Sequence, residues 1–182
     1  MKKFVLILIA FQLAASTLAQ IAKDSVAANG CRVVTTEYFS CQEDYMPLRM
    51  YASVGCKVCS SDTAYFFNVI LARNYYLPAV PAGAKLLIRN GSGDVFQLCA
   101  TDSVQEIVKE NNLHYIGVTY GMSAEDTKRL EAGIIKIRME NVGNYTDVEA
   151  SAATSAQKYG RYMAALRRRL ASSRESELLN GF

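Results

Sequence analysis

Five cysteines constrain the folds open to this 182-residue chain more than any other feature. Two of them form the motif Cys56-Lys-Val-Cys59, and Cys31, Cys41 and Cys99 lie on either side of it. Cysteines pair in an oxidising compartment and stay reduced in the cytosol. Whether these residues cross-link the fold therefore depends on where the chain resides.

The N-terminal segment answers that question. Two lysines precede an apolar run from Phe4 to Leu13, and small residues follow up to Ala19. This order is typical of a secretory signal peptide, and the run is about half of the roughly 20 residues that a membrane span needs. The sequence therefore predicts a signal peptide at residues 1–19, cleaved before Gln20, and a secreted or secretory-lumen protein. A retained anchor or a buried N-terminal helix is the alternative.

Secretion favours disulfide bonds, and all five cysteines belong to the predicted mature chain. One cysteine must stay unpaired within the chain, and any of the five can be the odd one. Because four cysteines pair in three ways, there are about fifteen schemes, among which the sequence does not choose. We expect about two disulfides, with the odd cysteine free or bridging two copies in a covalent homodimer.

The Cys-x-x-Cys motif also permits a redox function. A strand-like run precedes Cys56 and an apolar run follows Cys59, and two thiols at a helix N-terminus are the arrangement of a thiol oxidoreductase. Cys56 would then be the nucleophile and Cys59 the resolving thiol. The stretch from Val80-Pro81 through Lys85 to Gly91, together with the second strand and the capped helix predicted after it, resembles the C-terminal half of a thioredoxin. No Trp precedes the motif, however, so structural disulfides are the favoured interpretation.

A metal site is disfavoured. Cys31, Cys41, Cys56 and Cys59 could supply four thiolates, but structural zinc sites usually contain two close pairs of ligands, and the first two cysteines are far apart. His114 is the only histidine; a structural role is favoured over a Cys–His dyad with the odd cysteine. We therefore expect no metal and no cofactor.

The hydrophobic pattern predicts the element order β-β-α-β-β-α-β-α-α. The predicted helices cover Asp62–Tyr76, a short stretch opened by Asp102, a segment capped by Ser123, and a long amphipathic helix that begins at Thr146. A hairpin over Lys85–Cys99 is the clearest strand signal. The expected fold is α+β: a small mixed or antiparallel sheet packed with helices. The expected division is a disulfide-containing domain at 20–145, followed by a basic helix and polar tail at 146–182.

The C-terminal helix carries a basic patch, made of Lys158, Arg161, Arg167, Arg168 and Arg169. Its apolar stripe is mostly Ala and Tyr, so a packed helix with a solvated basic end is favoured over binding to a membrane surface or an acidic partner. The three consecutive arginines could also be a cleavage site that releases the C-terminal peptide.

Two Asn-x-Ser/Thr sequons, at Asn90 and Asn144, fall in predicted turns and are candidate glycosylation sites. Without the signal peptide the net charge falls from +3 to about +1, because two lysines are lost, and this disfavours nucleic-acid binding. No phosphate-binding loop or nucleophile elbow is present.

The favoured function is a secreted, non-enzymatic protein that binds an extracellular protein or glycan. The alternatives are a thiol-disulfide oxidoreductase that uses Cys56 and Cys59, and a precursor cleaved at Arg167–Arg169.

Overall fold

The computed structural model describes residues 21–42, 47–60, 62–109 and 112–180, so the predicted signal peptide lies outside the described residues. These residues form eleven strands, two α-helices and one 3₁₀ helix. The strands are β1 (Ile21–Val26), β2 (Arg32–Thr36), β3 (Phe39–Ser40), β4 (Arg49–Cys59), β5 (Asp62–Arg73), β6 (Lys85–Asn90), β7 (Val95–Ala100), β8 (Ile107–Lys109), β9 (Leu113–Met122), β10 (Ile134–Asn141) and β11 (Asn144–Glu149). The helices are α1 (Ala124–Arg129), the 3₁₀ helix Leu130–Ala132, and α2 (Ala152–Asn180).

All eleven strands belong to one antiparallel sheet. Its order is β1-β2-β4-β5-β9-β7-β6-β10-β11, with β3 paired to β4 and β8 paired to β9. The predicted α+β fold with a small sheet packed by helices is therefore wrong. Two of the predicted helices are wholly or partly strands, and the short helix predicted to open at Asp102 is not formed by the described residues, in which Ile107–Lys109 is strand β8.

The segment from Asp62, predicted as a buried helix, is the central strand β5. It pairs along its length with β4 and with β9, and Phe67, Val69 and Leu71 are buried at alternate positions. Phe66 and Ile70, on the opposite face of β5, are apolar and half-buried, so the sequence does not show a clear period of two. The same pairing continues β4 through Gly55 to Cys59. A side chain at Gly55 would lie 2.3 Å from the Phe66 ring.

The segment after α1 was also expected to be helical, since Leu130, Ile134 and Ile137 recur three to four residues apart. It forms β10 instead, which pairs with β6 and β11. The pairing with β6 shifts register between Ile134 and Lys136. Such a bulge lets residues three apart face the same side of a strand, and both isoleucines are buried. The bulge therefore gives β10 two buried residues at a spacing of three, which is also the spacing of a helix.

Of three further predictions made from local turn and capping patterns, two are confirmed and one is wrong. The hairpin of β6 and β7 is confirmed, as is the Ser123 cap, whose hydroxyl accepts from Asp126 N at 3.1 Å. The expected cap at Thr146 is wrong, because Thr146–Glu149 lies in β11 and α2 begins at Ala152. The predicted domain boundary at residue 145 therefore falls inside β11.

The core lies between the inner face of the sheet and α2. Inner residues follow the register across strands, as in the row Met50, Leu71 and Ile116. From α2, Tyr159 and Leu166 are buried, and the helix contacts β2 and β4 as well as β10. These strands lie towards opposite ends of the strand order, so the sheet curves around the helix.

One buried glutamine holds the curved sheet together. The amide nitrogen of Gln42 donates to Leu48 O at 3.1 Å and to Glu149 O at 3.0 Å, while its oxygen accepts from Met50 N at 2.8 Å. Glu149 ends β11 and Met50 lies in β4, so a single side chain joins strands six steps apart in the sheet order.

Candidate binding surface

The structure contains one disulfide, Cys31–Cys59, rather than about two. Cys31 precedes β2 directly, Cys59 ends β4, and the neighbouring residues Arg32 and Val58 are register partners. The Cα–Cα distance is 4.4 Å, the spacing of directly opposed residues in an antiparallel pair. The disulfide therefore links the N-terminal end of β2 to the C-terminal end of β4.

The geometry does not support the redox pair. Cys56 and Cys59 both lie in β4, three residues apart, so their side chains project to opposite faces of the sheet. Cys56 is buried, and desolvation raises the pKa of its thiol to about 11. Cys59 is bonded to Cys31. Neither residue is at a helix N-terminus, and the thioredoxin-like resemblance fails at the same point because β5 replaces the helix it required.

The other free cysteines do not form a predicted site either. Cys41 is buried, and burial raises the pKa of its thiol to about 12, whereas Cys99 is exposed on β7. The disulfide removes two of the four proposed zinc ligands. In the described ranges, no group of three or more His, Cys, Asp or Glu residues is arranged to hold a metal ion. His114 Nδ1 lies 2.8 Å from Glu106 Oε1, so a carboxylate rather than a cysteine faces this ring nitrogen.

The two sequons differ in environment. Asn90 is 1% exposed: its nitrogen donates to Arg129 O at 3.0 Å, and its oxygen accepts from Ser92 N and Asp94 N. The side chain closes the β6–β7 turn and ties it to α1, so the expectation of an exposed Asn90 is wrong. Asn144 is exposed at the start of β11. A glycan on the folded protein fits only the second position.

We expect the protein to carry a glycan at Asn144 and none at Asn90 when it is expressed through a eukaryotic secretory pathway. Asn144→Gln should remove the mass that a glycosidase releases. Ser92→Ala destroys the other sequon without disturbing the contacts of Asn90, and it should leave that mass unchanged. Intact mass before and after deglycosylation measures both variants, and a glycan lost with Ser92→Ala would contradict the assignment.

Most of the basic patch is paired. Lys158 Nζ donates to Ser40 O at 3.1 Å, and Arg167 lies 3.2 Å from a carboxylate oxygen of Glu131. Arg169 Nε lies 2.5 Å from Asp24 Oδ2, so this residue ties α2 to β1. Proteolysis favours exposed loop tips, and all three consecutive arginines lie within α2. Most of the basic patch therefore holds α2 against β1, β3 and the 3₁₀ helix.

Asp24 in β1 binds one arginine of β2 and one arginine of α2. Arg32 donates to both of its oxygens, at 2.7 and 2.6 Å, and Arg169 donates to one of them. These bonds, with Arg32 the strongest influence, lower the pKa of Asp24 to about 2, against the opposing effect of burial. The ionised carboxylate therefore joins β1, β2 and the C-terminal helix.

Asp24→Asn should lower the free energy of unfolding at pH 7 by about 1–2 kcal/mol. Because the folded pKa is below the unfolded one, the wild type should hold this stability above about pH 4 and lose it as the pH falls towards 2. Urea unfolding at pH 7, 4 and 2.5 measures the effect, and the difference between the two proteins should shrink with acid. Asp94→Asn is the control, because Asp94 is exposed in the β6–β7 turn and forms no ion pair among the described residues. An equal loss in both variants would contradict the role given to Asp24.

Two exposed tyrosines, Tyr75 and Tyr76, lie in the turn that follows the end of β5. Arg73 ends β5, and its Nε donates to Tyr75 O at 3.1 Å while its Nη2 donates to Tyr76 O. Its guanidinium also stacks on the Tyr75 ring, with Cζ 3.8 Å from the ring centroid. One arginine thus fixes the backbone of the turn and supports an aromatic ring.

A second group of contacts, centred on Glu106, fixes the backbone at Leu77, directly after the two tyrosines. Glu106 Oε1 accepts from Leu77 N and lies 2.8 Å from His114 Nδ1, and His114 is the register partner of Arg73. Leu77 is buried, whereas Tyr75 and Tyr76 are 56% and 62% exposed. The tyrosines are therefore exposed on an anchored backbone.

We call Arg73, Tyr75 and Tyr76 the tyrosine surface. Large aromatic side chains that stay exposed next to each other on a rigid scaffold are candidates for an interaction site. Sequence reasoning missed this surface because it placed Tyr75 and Tyr76 in a helix; Asn74 before them and Pro78 after them were the available turn signals.

No helix of the described segments has the length and apolar character needed to cross a membrane. Comparison of the chain with protein-family models, with curated proteins and with solved structures found no match.

Proposed function

We propose that this chain is a secreted, non-enzymatic binding protein that docks on another extracellular protein through the tyrosine surface. The observation that carries the proposal is the exposure of Tyr75 and Tyr76 on a turn that Arg73 and Glu106 hold in place. A pre-ordered surface loses little conformational entropy when it binds.

Secretion is supported by the signal pattern at residues 1–19 and by the Cys31–Cys59 disulfide. The predicted covalent homodimer remains a proposal, and the structure limits how it could form. Of the three free cysteines, Cys41 and Cys56 are buried and Cys99 is exposed. A disulfide-linked dimer would therefore be joined through Cys99.

A protein partner is favoured over a glycan because tyrosine and arginine are enriched among the residues that dominate protein–protein binding energy. Tyrosine supplies a large apolar face and a hydroxyl with few rotatable bonds, and the Arg73 guanidinium adds directed donors beside it. Binding to isolated glycans is the competing outcome in the experiment below.

The experiment compares three proteins: the wild type, the double variant Tyr75→Ser/Tyr76→Ser, and the control Tyr145→Ser. Tyr145 is also exposed, but it lies on the β10–β11 hairpin. Each is used for cross-linking and mass spectrometry in the extracellular fluid of the source organism, and the identified partner is then titrated in purified form. Glycan arrays are probed in parallel.

Wild type and Tyr145→Ser should bind the same purified partner with equal affinity, and the double variant should bind it at least tenfold more weakly. Circular dichroism should show all three proteins folded. Equal affinity for the double variant would overturn the tyrosine surface as the site, and glycan binding that depends on these tyrosines would replace the protein partner.

A further inference from the structure

A free thiol lies in the same strand as one half of the disulfide. Cys56 is 0% exposed and belongs to the core, and it precedes Cys59 by three residues in β4. Three residues of extended strand separate Cα atoms by about 10 Å, whereas a disulfide needs Cα atoms roughly 4.4–6.8 Å apart. As long as residues 56–59 stay in the strand, Cys56 therefore cannot bond to Cys59.

The other two free thiols lie further from the disulfide. Cys41 N donates to Met50 O at 3.2 Å, and Met50 is nine residues before Cys59 in β4, which corresponds to roughly 30 Å along the strand. Cys99 lies on β7, three strand spacings from β4 in the sheet order, or at least about 14 Å away. Cys56 is therefore the free thiol closest to the Cys31–Cys59 bond.

The end of β4 that carries both cysteines is the weaker end of its ladders. Ser60 follows Cys59 directly and has φ +51, a left-handed conformation that is unfavourable for a residue with a Cβ atom. The β2–β4 ladder has four register pairs and ends at Arg32 and Val58. Strand ends open at a lower free energy than the centre of a sheet. Residues 56–59 can therefore leave the strand while the rest of β4 stays paired with β5.

We propose that residues 56–59 form a disulfide switch, which operates when this end of β4 opens. The Cys56 thiolate then attacks Cys59 Sγ, so that a Cys56–Cys59 bond forms and the Cys31–Cys59 bond breaks. Cys31 leaves as a thiolate and takes up the proton that Cys56 lost. One disulfide replaces another, so no oxidant is consumed and no substrate is oxidised. The exchange removes the cross-link between β2 and β4, and it does not depend on the proposed function.

The closed fold blocks this exchange in two ways. The extended strand keeps the two sulfur atoms on opposite faces of the sheet, and burial raises the pKa of the Cys56 thiol to about 11. Only a thiolate attacks a disulfide. In the open segment the thiol regains an ordinary pKa of about 8.5, so the rate of exchange should rise about tenfold from pH 6.5 to pH 7.5.

Peptide mapping distinguishes the two bonds, because Lys57 lies between Cys56 and Cys59 and Arg32 follows Cys31. The monomeric mature protein is incubated in urea below its unfolding transition, its thiols are blocked with N-ethylmaleimide, and it is digested with trypsin without reductant. The original bond joins peptide 24–32 to peptide 58–73. The exchanged bond joins peptide 50–57 to peptide 58–73 and leaves N-ethylmaleimide on Cys31.

The wild type should give only the original bond without urea, and the exchanged bond should accumulate in urea at a rate that does not depend on protein concentration. Cys56→Ala should keep Cys31 bonded under the same conditions. Cys41→Ala removes the other buried thiol and should exchange like the wild type, and circular dichroism checks the fold of both variants. The switch would be overturned by a wild type that never joins peptides 50–57 and 58–73, or by release of Cys31 at an equal rate in Cys56→Ala.

Discussion

Replacing Gly133 with alanine is expected to lower the free energy of unfolding by about 4 kcal/mol, which is enough to prevent folding in many small domains. Gly133 has φ +80, a conformation that costs any residue with a Cβ atom. An added Cβ would also lie 2.1 Å from Ala152 O. Ala152 cannot retreat easily, because Ser155 in the same helical turn accepts from Ile134 N at 2.7 Å.

Gly143→Ala is the matched control for this substitution. Gly143 has φ +82, yet an added Cβ there would have no atom within 4 Å, so the variant should lose only about 1 kcal/mol from backbone strain. Urea unfolding followed by circular dichroism measures both proteins. The difference between them isolates the close approach of α2 to β10, and equal stability of the two variants would show that this approach is not tight.

The parts of the fold that could be predicted are those whose signals are local. The β6–β7 hairpin follows from its Asn-Gly-Ser-Gly turn, and the start of α1 follows from the Ser123 cap. The parts that could not be predicted depend on distant partners. Residues 62–73 are a strand because β4 pairs with one of its edges and β9 with the other. A short apolar run does not show whether such pairing strands exist, so it does not distinguish a strand from a buried helix.

The candidate site shows the same limit. Asn90 was expected to be exposed because sequons in turns usually are, but its side chain reaches Arg129 O across 39 positions. The tyrosine surface requires the β5–β9 register, which places His114 beside Arg73. The disulfide partner of Cys59 is likewise set by the β2–β4 register, and no spacing rule selects Cys31 from the five cysteines.

The double variant Cys31→Ser/Cys59→Ser should lower the free energy of unfolding by about 3–4 kcal/mol. The disulfide closes a loop with a sequence separation of 28, and the entropy that this cross-link removes from the unfolded chain corresponds to about 3.6 kcal/mol. The folded strands should stay paired, because the β1–β2 and β2–β4 ladders and the Asp24–Arg32 bonds do not need the bond. The loss is therefore expected in stability rather than in structure.

Urea unfolding of the double variant, of the wild type and of Cys99→Ser measures this loss. Cys99 is exposed and unpaired, so Cys99→Ser should match the wild type within about 0.5 kcal/mol. Thiol titration of the wild type gives an independent check. In the monomeric protein one thiol, Cys99, should react when the chain is folded, and three should react after unfolding without reductant, because Cys41 and Cys56 are then released from the core. A second reactive thiol in the folded protein, or unchanged stability of the double variant, would contradict the single Cys31–Cys59 cross-link.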